Sequence, residues 1–113
     1  MATQREIEIK EVLRELGIRV NVKGYHYLAE AIQYRIDAGF GKRDTCIMYR
    51  VIAHRHGDTE THVERAMRAA ITTCFRRGNL ELIDKLFSYT VGTAGTVPVS
   101  TFVATLAEYY QTK

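Results

Sequence analysis

Residues 63–75 constrain the chain more than any other stretch. Val63, Ala66, Met67, Ala70, Ile71, Cys74 and Phe75 recur at intervals of three and four. That spacing puts them on one face of a helix and leaves the other face polar. The pattern predicts a helix over Glu60–Arg77, closed by Gly78. Just ahead stands "HGDTET", with Gly57 to make a turn and Thr59 or Thr61 to accept from the new helix's first N–H groups. Residues 44–57, before the turn, have a second apolar stripe in Ile47, Met48, Val51 and Ile52. Asp44 is a suitable N-cap for it. Two helices joined by a short glycine-bearing turn form a helix-turn-helix. The spacing supports this. Ala53 suits a close crossing, Gly57 can take positive φ, and Val63 is the first inward residue of the second helix.

The remaining chain reads as helix too. Thr3 and Glu6 have capping-box spacing for a helix over Gln4–Leu16, which Gly17 ends. Ile7, Ile9, Val12, Leu13 and Leu16 are its apolar positions. "IRVNV" reads as a short extended link. Gly24–Asp37 carries Tyr25, Leu28, Ala31, Ile32 and Ile36 on one stripe. Asn79 caps a helix over Leu80–Ser88 that buries Leu80, Ile83 and Phe87. "YTVGTAGTVPV" is a loop. A final helix over Thr101–Gln111 turns Phe102, Val103, Leu106 and Tyr110 inward. The expected fold class is all-α, a compact bundle of about six helices in one domain of 113 residues.

Charge locates the function. The net charge is +3, but it is unevenly spread. Residues 42–77 hold eight Lys/Arg and four Asp/Glu, whereas the rest holds eight and nine. The whole positive excess falls on the helix-turn-helix, which suits an anionic partner such as nucleic acid. If 60–77 is the recognition helix, Thr59, Glu60, Thr61, His62, Glu64, Arg65 and Arg68 form its exposed N-terminal part. Arginine can bond guanine O6 and N7 together, and glutamate can accept from cytosine N4. We assign base reading to Thr61, His62, Glu64, Arg65 and Arg68. Backbone contact is assigned to Thr59, Arg50, Arg55, Arg76 and Arg77. The bland reading of Glu64 and Arg68 is a surface ion pair, four residues apart.

Other chemistries find less support. His54 and His56 are two apart on a helix and do not share a face, and no cysteine pair completes a zinc site with Cys46. Cys46 and Cys74 read as free, buried thiols. No Walker loop, HExxH or nucleophile elbow occurs, and an enzyme is not expected. No apolar run approaches membrane-spanning length and no secretory h-region opens the chain. The expected location is the cytoplasm, with no membrane partner and no cofactor. The rival is a helical protein-interaction module that binds a regulator or sigma factor without reading DNA.

Five stretches carry a resemblance: "LRELGI", "KGYHYLAEAI", "HVERAMRAAI", "RRGNLELIDKLFSYTV" and "VPVSTFVATLAE". With them the chain resembles the C-terminal effector domain of stage-zero sporulation protein A, a sporulation response regulator, from about Ile7 to Tyr109. The resemblance implies a six-helix domain that binds short promoter boxes in double-stranded DNA and regulates transcription. It implies that helix 60–77 enters the major groove, with Glu64 and Arg65 reading bases beside Arg68. It also implies a homodimer on tandem sites, with the last helix near the contact. The region from Leu80 to Tyr89 would meet the RNA polymerase sigma subunit, with Asp84, Leu86, Phe87 and Ser88 as candidate contacts. Better-known members carry a phosphorylatable receiver domain ahead of this module. His62 and Ala69 depart from the family pattern, where larger basic or polar groups are expected.

Overall fold

The computed structural model describes residues 3–38, 45–87 and 97–111. Among them stand six helices and no strand: α1 (Gln4–Leu16), α2 (Lys23–Ala38), α3 (Thr45–His56), α4 (Glu60–Arg77), α5 (Leu80–Phe87) and α6 (Val99–Gln111). The all-α expectation holds. The radius of gyration, 13.0 Å, is what a close-packed chain of this length should have.

Helix α2 runs through the middle and packs on α1, α4 and α6, while α3 leans on α2 and α4. The core is apolar throughout. Leu13, Leu16, Leu28, Ile32, Ile52, Val63, Met67, Phe102 and Leu106 are fully enclosed, and no charged residue among those described is buried. Three rings form its α4–α5–α6 corner. Phe87 stacks on Phe102 with centroids 5.2 Å apart, and Phe75 meets Phe87 edge-on at 5.5 Å.

Helix ends follow the local chemistry. Thr3 accepts from Glu6 N–H at 3.2 Å to start α1. Gly17, at φ 105°, ends it, with Gly17 N–H donating to Arg14 and Ile18 N–H to Leu13. This is a Schellman closure. Asn79 Oδ1 accepts from Leu82 N–H at 3.1 Å, so Asn79 caps α5 as expected. Gly78 ends α4 in an extended conformation, at φ −81°. Glycine is needed there for space: an added Cβ would lie 2.1 Å from Leu16 O. The same carbonyl accepts from Asn79 N–H at 3.0 Å, so the ends of α1 and α4 are stitched backbone to backbone.

Several expectations change. "IRVNV" is a pair of turns rather than an extended link, since Val22 N–H bonds Arg19 O and Tyr25 N–H bonds Val22 O. Only Ile18 of its apolar residues is buried; Val20 and Val22 are exposed. Ile7 is exposed because the buried stripe of α1 is Ile9, Val12, Leu13 and Leu16, and Ile7 lies about 200° round from Ile9. Ile47 is likewise exposed, one position off the Met48–Ile52 face. Leu80, expected inward, is 61% exposed. The face that α5 buries is Ile83 and Phe87, and the first turn projects past it. Helix α6 begins at Val99, two residues early, where Pro98 O accepts from Phe102 N–H. Asp44, Ser88, most of the 89–99 loop and the Cys46 side chain lie outside the described residues.

Candidate nucleic-acid interface

The turn between α3 and α4 is built by three residues with separate duties. Gly57 takes φ 62°. Its N–H donates to His54 O and that of Asp58 to Ala53 O, which closes α3 in a second Schellman motif. Among the described residues nothing lies within 4 Å of the Cβ that Gly57 lacks. Glycine is demanded here by the backbone angle alone. Thr59, not Thr61, is the N-cap of α4: its hydroxyl accepts from His62 N–H at 3.1 Å.

Asp58 fastens the turn to the rest of the domain. Its Oδ2 accepts from the Tyr27 hydroxyl at 2.6 Å, and its Oδ1 accepts from Thr59 N–H at 2.8 Å. His62 Nδ1 lies 3.0 Å from the same Oδ1. The Tyr27 bond, then the Thr59 bond, and further the His62 bond and the nearby Lys23 charge, hold the Asp58 carboxyl down at about 2. Tyr27 is pushed up to about 12, chiefly because its hydroxyl is committed to that carboxylate. Tyr27 lies on α2, so one hydrogen bond ties the centre of the bundle to the start of α4. Residue spacing missed this pair. An Asp beside a capping Thr was a visible local signal, but its partner 31 residues away was not.

The exposed row on α4 comes out as Thr61, His62, Arg65 and Arg68, with Glu64 half-buried at its edge. Glu64 Oε1 and Arg68 Nη2 form an i,i+4 ion pair. The surface-pair reading is thus realised in the unbound chain. Arg65 has no ion pair or hydrogen bond among the described residues and projects into solvent. Arg50, on α3, lies 3.8 Å from Glu60, with both largely exposed. Arg55 is turned back to α2, where its Nη1 donates to Glu30 Oε1 at 3.3 Å. His56 Nε2 bonds the other oxygen of Glu30, and its ring meets Tyr27 edge-on. Arg76 and Arg77 are exposed at the far end of α4 and make no ion pair among the described residues.

The sigma-contact candidates separate. Asp84 is exposed and Leu86 half-buried, but Phe87 takes the inward position its stripe predicts, 1% exposed beneath Phe102, and so is withdrawn as a surface contact. Cys74 is buried as expected. Its thiol donates to Leu16 O at 3.5 Å, and burial pushes it up to about 11.

α4 therefore presents a capped N-terminal half with its polar row outward, on a turn anchored by Asp58. A family model described as "Sporulation initiation factor Spo0A C terminal" matches residues 9–110. The chain belongs to that family. The match covers all six helices apart from the first five residues of α1 and the last residue of α6. Its DNA-binding regulatory character agrees with the resemblance already visible in "KGYHYLAEAI" and "HVERAMRAAI". No helix among the described residues is long and apolar enough to cross a membrane.

Proposed function

We propose that this chain is a single helix-turn-helix effector domain that reads promoter DNA with α4. The observation that carries the reading is Arg65. It is a guanidinium unpaired among the described residues, on the outer face of α4, six residues past the threonine cap that follows the glycine turn. The N-terminal turns of such a helix enter the major groove, where a guanidinium bonds guanine O6 and N7 at once. Glu64 and Arg68 flank it. On entering the groove their ion pair exchanges for base and phosphate partners, at small cost for an i,i+4 pair at the helix surface. Thr61 and His62 complete the row. Thr59, Arg50, Arg76 and Arg77 serve the phosphates. Arg55 does so once released from Glu30.

The domain acts in the cytoplasm. Copies bind tandem boxes, with α6 near the contact between them. Asp84 and Leu86 are the exposed and half-exposed parts of the sigma-facing segment. Enzymatic chemistry has no part in this reading. A helical interaction module that never reads DNA is favoured by one observation, the Glu64–Arg68 pair. Selection of bound duplexes from a random pool separates the two. DNA reading predicts enrichment of a short shared box and a steep fall of affinity with salt. The interaction module predicts no enrichment even at low salt.

A further inference from the structure

We infer that Arg19 and Lys23 clamp a second phosphate strand, on the flank of α4 opposite to α3. This rests on the DNA reading just proposed and extends its footprint. A groove of about 560 Å³ runs between residues 17–24 and the side of α4. Arg19, Lys23 and Arg77 supply its charge, and no acidic side chain among the described residues lines it. None of these three cations makes an ion pair among the described residues, in contrast to Arg50, Arg55 and Arg68. Its floor is low because Gly24 sits so close to α4 that a Cβ there would lie 2.4 Å from Ala66 O.

Helical geometry orients this groove relative to Arg65. At about 100° per residue, Ala69, Thr73 and Arg77 lie roughly 40°, 80° and 120° from Arg65 in one sense. Arg68, Glu64 and Glu60 lie roughly 60°, 100° and 140° in the other. Ala69, Thr73 and Arg77 line the groove, whereas Glu60 meets Arg50 of α3 at 3.8 Å. The reading row is thus flanked by cations on both sides. A major groove is walled by a phosphate strand on each side, about 12 Å apart. The 18 residues of α4 extend about 27 Å, so its C-terminal half must pass over one wall. The cations beside that half are Arg19, Lys23 and Arg77. Lys23 also stands near enough to Asp58 for its charge to help lower that carboxyl, so the rim follows α4 back toward the turn. The small side chain of Ala69, where the family pattern has a larger group, leaves the way from Arg65 to this rim open.

The test is an Arg19→Gln/Lys23→Gln double variant, which removes two charges and keeps much of the stems. Both residues are exposed, so helicity and the unfolding midpoint should match wild type. Binding is measured across a salt series on the selected duplex and on a scrambled duplex of equal length. The expected result is a log–log salt slope shallower by roughly 1.8, about 0.9 for each lost phosphate contact. The loss should be equal on both duplexes. An unchanged slope, or a loss confined to the selected sequence, overturns the clamp while leaving the α4 reading in place. A shallow slope for wild type on every duplex overturns both. Lys23→Glu alone gives an independent check, since a reversed charge beside phosphate must weaken binding more than the neutral glutamine does.

Discussion

The hydroxyl of Tyr27 donates to Asp58 Oδ2 across 2.6 Å, joining the middle of α2 to the turn that launches α4. α4 is thereby fixed at its N-terminal end, where the proposed base-reading row begins. Tyr27→Phe removes this bond and nothing else in the ring's packing. It should lower the unfolding midpoint by a few degrees and weaken the preferred site, because Asp58 loses the partner that positions the turn. Thermal unfolding with parallel binding isotherms checks both. An unchanged binding isotherm would mean that Thr59 and Gly57 orient α4 without help from α2.

Acid should loosen the same joint. The folded Asp58 is held at about 2, below its ordinary 3.8. A lowered carboxylate stabilises the fold above its unfolded pKa and loses that contribution as pH falls through the folded value. Stability should therefore decline between about pH 4 and pH 2. Asp58→Asn should remove the part of that decline owed to this residue, in denaturant titrations at successive pH values.

Gly24 and Gly57 need glycine for opposite reasons, and substitution separates them. Gly57→Ala meets no neighbour but forces a side chain into left-handed backbone, which costs about 1–2 kcal/mol. Gly24→Ala has ordinary backbone but drives a Cβ into Ala66 O and to 2.7 Å from Ala70 Cβ. Overpacking of this kind costs about 1–3 kcal/mol, and it must also push α4 away from α2. Urea unfolding should show both losses. Binding should suffer further in Gly24→Ala, even where the protein remains folded.

How much of this was legible depended on whether the signal was local. The bounds of α1 and α4 follow from sequence to the residue, because each has a threonine cap in front and a glycine behind. The positive φ of Gly57 was legible for the same reason. The close approach of Gly24 was not, since nothing within ten residues says what lies opposite. Nor was the exposure of Leu80, which shares the apolar stripe of α5 with Ile83 and Phe87 but lies in a first turn that projects past the core. Among the cations, periodicity showed which are exposed but not which are paired. Arg55 and Arg65 look alike in sequence. Glu30, 25 residues before Arg55, holds the one, while the other has no partner among the described residues.

The Glu64–Arg68 pair tests whether the row is a reading surface or a solvated ladder. Glu64→Gln removes an i,i+4 pair between half-buried Glu64 and exposed Arg68, of a kind worth about 0.3–0.5 kcal/mol on a helix surface, so unfolding should barely move. If Glu64 accepts from cytosine N4, the same change should weaken the preferred duplex and relax choice at one base pair. Equal affinity for every duplex, before and after, would assign Glu64 to the ion pair alone.

The most direct measurement is the affinity of Arg65→Ala for the selected duplex and for its single-base-pair variants. Reading by α4 predicts a loss of about 1–3 kcal/mol on the preferred duplex. It also predicts that discrimination collapses at one position and persists at the others. Site preference identical to wild type at every position would contradict the placement of α4 in the major groove.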